Sequence, residues 1–237
     1  MKVLLDFGHC LSGADRGAVS NGRREEDCTR EIGSKVKSKL EALGHSALVC
    51  SPDSANSLSE SLEYRVNTAN KATGDLFVSI HLNAGGGNGT EIYTFAGKQL
   101  QETLSILSNF ENLGFNNRGI KDGSRLYVIK NTNMKAMLLE CCFIDSSDME
   151  KYDAEAFAKA MVKGITGKLP SVQAEQTITA GHVTAKALNV RSAPGVNNSI
   201  IGVLRFGDAV KIDKKLGNWY SIYFGQHGGY VYSAYIE

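Results

Sequence analysis

LFVSIHLN, residues Leu76 to Asn83, is the stretch on which the reading of this chain turns. Leu76, Phe77, Val78 and Ile80 form a nearly continuous apolar, β-prone run. That predicts a strand buried on both faces, as in a mostly parallel sheet. His81 stands where the run ends. Ligands in open α/β sheets bind beyond the carboxyl ends of the strands, so a histidine there is placed for chemistry. Two further runs end alike: VLLDFG (Val3 to Gly8) delivers His9, and MLL (Met137 to Leu139) delivers Glu140. Two imidazoles and a carboxylate suit a borderline metal such as zinc. Either histidine taken alone reads more simply as a hydrogen-bonded structural residue; the repeated strand-end placement reverses that reading.

Outward from this strand, Cys28, Ile32, Val36, Leu40 and Leu43 step by three or four and predict a helix from about Glu26, with Gly44 as its C′ residue. Glu25 lies at the helix entrance, where a carboxylate serves the helix dipole as readily as a metal. HSALVC reads as a strand, and Leu58, Leu62, Val66 and Ala69 mark a second helix leading to Leu76. AGGGNG (Ala84 to Gly89) reads as a mobile rim beside His81; it lacks the Lys-Ser or Lys-Thr of a phosphate-binding loop. TEIYTF is a strand, and Leu100, Leu104, Leu107, Phe110 and Leu113 give the next helix. Residues 116–133 read mostly as loop, with a short strand near Tyr127 to Ile129. Ala136 to Leu139 is a strand ending at Glu140, and Phe157, Met161 and Ile165 place a last helix before Leu169. The alternation predicts a three-layer α/β domain over residues 1–169. Residues 170–180 are poor in large apolar side chains and read as a linker. Over residues 181–237 short β-rich runs broken by Gly, Asn and Pro predict a second, smaller all-β barrel. Trp219 is assigned to its core, with an aromatic ligand platform as the alternative.

With 237 residues, 42% of them hydrophobic, the chain has ample material for a core, and its net charge of +1 gives no electrostatic basis for binding nucleic acid. No apolar run is long enough to cross a bilayer, so no membrane insertion is expected. MKVLLDFGHC has no cleavable h-region, which predicts a product made in the cytoplasm without a signal peptide and dependent on another factor for release. Five cysteines at irregular spacing predict free thiols. Cys10 and Cys141 adjoin site residues in sequence, but neighbours on a strand face opposite ways, so neither is expected in the site.

Taken in order, DFGHC, GAVSNG (Gly17 to Gly22) with Glu25 three positions on, RVNTANKATGDLFVSIHLNA, GTEIY and LLECCFID resemble the zinc-dependent N-acetylmuramoyl-L-alanine amidases of the Amidase_3 type. ALNVRSAPG, IIGVLRFGD, NWYSI and GGYVYSAYI resemble a bacterial SH3 domain. The pairing looks like a phage endolysin or a bacterial autolysin, acting on the cell wall after release. The resemblance implies that His9, Glu25 and His81 hold Zn2+ and that Glu140 is the catalytic carboxylate, which reassigns Glu140 from the ligand set. It implies bacterial peptidoglycan as substrate and partner, and hydrolysis of the amide joining N-acetylmuramic acid to L-alanine. Cys10 stands where the family usually has Gly, and Met134-Lys135 where a Pro often precedes the strand. Two other readings share these features: a zinc peptidase cutting within the stem peptide, and a non-catalytic wall-binding protein.

Overall fold

The computed structural model describes residues 1–170, 180–225 and 228–237, divided into two units, Met1–Pro170 and Ser171–Glu237. The predicted linker falls almost wholly on residues 171–179, outside the described residues.

The first unit is built on six strands: β1 (Lys2–Phe7), β2 (Ser46–Val49), β3 (Leu76–Asn83), β4 (Thr90–Thr94), β5 (Asn117–Asp122) and β6 (Lys135–Phe143). Their spatial order is β2-β1-β3-β6-β4-β5. The first four in that order run parallel; β4 is antiparallel to β6, and β5 parallel to β4. Five helices flank the sheet: α1 (Glu25–Ala42), α2 (Leu58–Ala72), α3 (Gln101–Asn112), α4 (Tyr127–Asn131) and α5 (Ala154–Thr166). Ile32, Val36 and Leu40 of α1, Ile106 and Phe110 of α3, and Phe157 and Met161 of α5 close over Val78, Ile80 and Leu139 on one face. Val66 and Ala69 of α2 with Val128 and Ile129 of α4 close over Phe77 and Leu138 on the other. Each large aliphatic side chain sealed in this way contributes about 1.5–3 kcal/mol. The three-layer arrangement is therefore as the alternation predicted.

Three local expectations need correction. Tyr127 to Ile129 is not a strand but the start of α4, because an apolar run this short carries no period to separate helix from strand. Residues 117–122, read as loop, are the edge strand β5, whose exposed and half-exposed side chains leave no apolar alternation to detect. Strands β3 and β6 run on to Asn83 and Phe143, so His81 and Glu140 sit within the ladder, paired with each other, instead of beyond its end. Backbone pairing is indifferent to the polarity of those side chains.

The second unit carries β7 (Ala180–His182), β8 (Ala187–Arg191), β9 (Ile200–Arg205), β10 (Ala209–Leu216), β11 (Trp219–Ile222) and β12 (Gly229–Tyr232), in the order β7-β10-β11-β12-β8-β9. Its core comprises Val190, Val210, Ile212, Tyr220, Ile222 and Val231 among others. Trp219 is not in that core. Alternation along β11 turns Tyr220 and Ile222 inward and leaves Trp219 half-buried, its ring 5.6 Å from that of Tyr232.

Candidate metal centre

His9 follows β1 with a φ of 63°, a left-handed conformation rare outside glycine. The preceding Gly8 is needed for space: a Cβ there would lie 2.5 Å from Cε1 of His81. Gly17 is needed likewise, since its Cβ would lie 2.7 Å from Glu25 Cβ and 2.8 Å from His9 Cδ2. Glu25 opens α1. The helix takes no side-chain cap from Arg24, its N-cap residue, and the Glu25 carboxylate turns away from the helix toward the histidines. Its Oε1 lies 3.0 Å from His81 Nδ1, and its Oε2 lies 3.2 Å from His9 Nε2. The backbone amides of Leu82 and Ala18 donate to these same oxygens at 3.1 and 3.0 Å. The Glu25 carboxylate is thus engaged by the two imidazoles and by the amides of Ala18 and Leu82, with no hydrogen bond, among the described residues, to the first-turn amides of its own helix. One donor atom from each of His9, Glu25 and His81 falls within 4.8 Å of the others.

Behind this trio lies a buried polar network that sequence reasoning missed. Asp15 Oδ1 is 2.9 Å from His9 Nδ1, while Asp15 Oδ2 accepts from Ser61 Oγ at 2.6 Å and Arg65 Nη2 at 3.2 Å. Arg65 also donates to Asp6, which in turn accepts from Ser79 Oγ at 2.7 Å. Arg65 lies on the buried side of α2, in step with Leu62, Val66 and Ala69; a cation on an apolar stripe was the available signal. Asp15, in a polar loop, gave none.

The electrostatics are those of a site short of positive charge. Burial opposes a charge on His9, yet hydrogen bonds to Asp15 and Glu25 outweigh it and raise its pKa to about 10. Burial likewise opposes a charge on His81, and Glu25 and Glu140 raise its pKa against it. Against their own desolvation, Glu25 and Asp15 are held well below the usual carboxylate range by the histidines they face. Glu140 is opposite in behaviour. Burial pushes its pKa up to about 7, with Glu25 and Glu91 adding to the rise and His81 opposing it. Its Oε2 is buried without a hydrogen-bond partner among the described residues. Two imidazoles, an ionised carboxylate, a second carboxylate orienting one imidazole, and an unpartnered carboxylate oxygen alongside fit a divalent metal such as zinc.

Cys10 and Cys141 stay out of the trio, as expected. Cys10 lies beside Ser61 and Arg65, Cys141 belongs to the core under α1, α3 and α5, and all five cysteines are free and buried. The AGGGNG rim is joined to the segment after β6 by hydrogen bonds. Asp145 accepts from the amides of Gly85 and Gly86, and Asp148 from that of Gly89.

A sequence model of N-acetylmuramoyl-L-alanine amidases, Amidase_3, matches residues 3–169, and one of the bacterial SH3 domain matches residues 186–237. The chain belongs to the Amidase_3 family. Its amidase region is 32% identical to the N-acetylmuramoyl-L-alanine amidase CwlM of Bacillus licheniformis over 170 residues, 69% of this chain and 65% of that protein. It is 38% identical to the endolysin of Bacillus phage SPP1 over 156 residues, 62% of this chain and 56% of that one. Each match thus spans less than two thirds of the relative. Among solved structures, the catalytic domain of the CD27L endolysin targeting Clostridia Difficile superposes with a TM-score of 0.64 at 26% identity, covering 71% of this chain and 98% of that one.

Proposed function

We propose that this protein is a zinc-dependent N-acetylmuramoyl-L-alanine amidase that hydrolyses the bond between the lactyl carboxyl of N-acetylmuramic acid and L-alanine in bacterial peptidoglycan. The observation that carries the reading is the His9–Glu25–His81 trio with the unpartnered Glu140 carboxylate paired across the ladder from His81. His9, Glu25 and His81 would hold the metal. Three protein ligands are the complement of a catalytic site, and zinc bound there supplies a Lewis acid for the scissile carbonyl and a water acidified to a pKa of about 7. Glu140 is the general base and acid. Its carboxylate takes the proton from the attacking water and returns it to the alanine nitrogen as the C–N bond breaks, a role suited to a group whose pKa lies near neutrality. Asp15 fixes the tautomer of His9 by accepting from Nδ1, leaving Nε2 for the metal.

The SH3-like unit supplies a second contact with the same polymer, which raises effective concentration at the wall by about 10²–10⁴. We further infer a phage endolysin, made in the cytoplasm and acting after another factor releases it. Relatives named both endolysin and amidase support the enzymology and serve the autolysin reading as well.

Digestion of purified wall by the full chain tests the function. New N-terminal alanine, abolished by chelation and restored by zinc, is the expected result. A different new amino group would make the enzyme a stem peptidase, and full activity in a metal-free sample would remove zinc from the account.

A further inference from the structure

Beside the proposed chemistry lies a second buried carboxylate that takes no part in it. Glu91, on β4, is 3% exposed and stands directly opposite Glu140 in the antiparallel ladder. Partners across a ladder share a face, so His81, Glu140 and Glu91 form a row over β3, β6 and β4. Glu91 is saturated. Its Oε1 accepts from Asn83 Nδ2 and the Tyr93 hydroxyl, each at 2.9 Å, and its Oε2 accepts from Arg118 Nε at 2.8 Å.

Arg118 continues the row onto β5. Its guanidinium lies over the Phe143 ring, 5.0 Å from the centroid. Among the described residues only its Nε donates a hydrogen bond, and the side chain is 36% exposed. A guanidinium held at Nε and along its flat face leaves both Nη groups without a protein partner among the described residues, and these are the groups that can grip a carboxylate. An arginine serving only to neutralise Glu91 could have turned those groups toward it.

We propose that Arg118 is the recognition site for a free carboxylate on the peptide side of the scissile bond, with Glu91 and Phe143 holding it in position. The proposal rests on the amidase reading. When alanine is followed by a glutamate linked through its γ-carboxyl, the free α-carboxylate lies roughly 6 Å from the scissile nitrogen along an extended chain. Strand β5 lies two strand spacings, roughly 10 Å, from β6. The Arg118 side chain spans the strand between them, bonding Glu91 of β4 and lying over the Phe143 ring of β6, which shortens that separation.

The probes are N-acetylmuramoyl-L-alanyl-D-glutamate with its γ-carboxyl amidated and the same compound amidated at both carboxyls, given to the zinc-loaded full chain. The carboxylate form should be cleaved about tenfold to a hundredfold better in kcat/KM, mostly through KM, as expected for loss of a charged hydrogen bond. Arg118→Gln should cleave both at the rate of the wild type on the carboxamide, and Arg118→Lys should keep part of the preference. Equal rates from the wild type, or a preference that survives Arg118→Gln, would overturn the role of Arg118 and leave the amidase reading standing. A folded, zinc-loaded wild type that cleaves neither probe would remove the amidase reading and this proposal with it. Inhibition by the product L-alanyl-D-glutamate amidated at its γ-carboxyl, compared with the same dipeptide amidated at both carboxyls, makes the same decision without a variant. A weaker carboxamide supports the site, and equal inhibition refutes it.

Discussion

Substituting Asp15 separates support of the proposed metal site from support of the fold. Its Oδ1 lies 2.9 Å from His9 Nδ1, and its Oδ2 takes Ser61 and Arg65. Asp15→Asn keeps the shape but removes the negative charge that makes His9 a better donor at Nε2. Loss of such a partner weakens metal affinity about tenfold to a hundredfold, or roughly 1.4–2.8 kcal/mol. Folding should survive, because Arg65 retains the Asp6 carboxylate and the carbonyl of Phe7. Asp15→Ala differs: it removes the acceptor as well as the charge, leaving Arg65 Nη2 and the Ser61 hydroxyl without their buried partner, and breaking a buried pair costs about 3–5 kcal/mol out of a total of about 5–15. Zinc affinity by competition with a chromogenic chelator, and thermal melts of the metal-free proteins, read the two effects independently. Wild-type zinc affinity in Asp15→Asn would refute the support assigned to Asp15. A wild-type melt for Asp15→Ala would refute the importance given to the network.

The metal-free protein should be most stable in a mildly acidic window. His9, raised from 6.5 to about 10, contributes stability below pH 6.5 that is lost as pH rises toward 10, whereas lowered Asp15 and Glu25 contribute above their ordinary values of 3.8 and 4.5 and lose it on acidification. Melts from pH 3 to 10 check this, and a flat profile above pH 6.5 would contradict it; zinc should reverse the alkaline decline by taking the place of the lost protons. Glu140→Gln should retain zinc and lose about 10²–10⁴ of turnover, whereas His81→Ala should lose both, as metal analysis beside wall digestion will show. Loss of metal from Glu140→Gln would make Glu140 a ligand. A chain ending at Pro170 should fold, bind zinc and cleave soluble muropeptides but clear intact walls poorly; equal clearing by the truncated and full chains would dismiss the wall-targeting role of the tail.

The layers were legible because their signals are local. Leu76 to Ile80 form a nearly continuous apolar run, Ile32, Val36 and Leu40 keep a helical period, and polar side chains set at the ends of apolar runs stand out. Glu25 was ambiguous because a first-turn acid can serve a helix dipole or a cluster of histidines, and its aim toward His9 and His81 comes only with the fold. Asp15 and Glu91 were out of reach. Their meaning lies in partners distant in sequence, Arg65 and Arg118, and a buried carboxylate looks like any exposed one until those partners are in place. The edge strand at Asn117 was missed because a strand exposed along one side needs no apolar pattern. Trp219 was misplaced by size alone, where alternation along WYSI already pointed Tyr220 inward.

The five sealed thiols have a use outside catalysis. Burial raises the pKa of Cys28, Cys50, Cys141 and Cys142, and thiols kept protonated and out of contact with solvent do not alkylate or pair. The folded protein should therefore behave identically under reductant and in air. Cys28, Cys141 and Cys142 lie in the layer of α1, α3 and α5, whereas Cys50 belongs to the layer of α2 and α4 and Cys10 lies beside Arg65 of α2. Timed alkylation followed by peptide mapping thus reports, without any engineered label, whether one layer of the amidase region opens before the other or the whole lets go together.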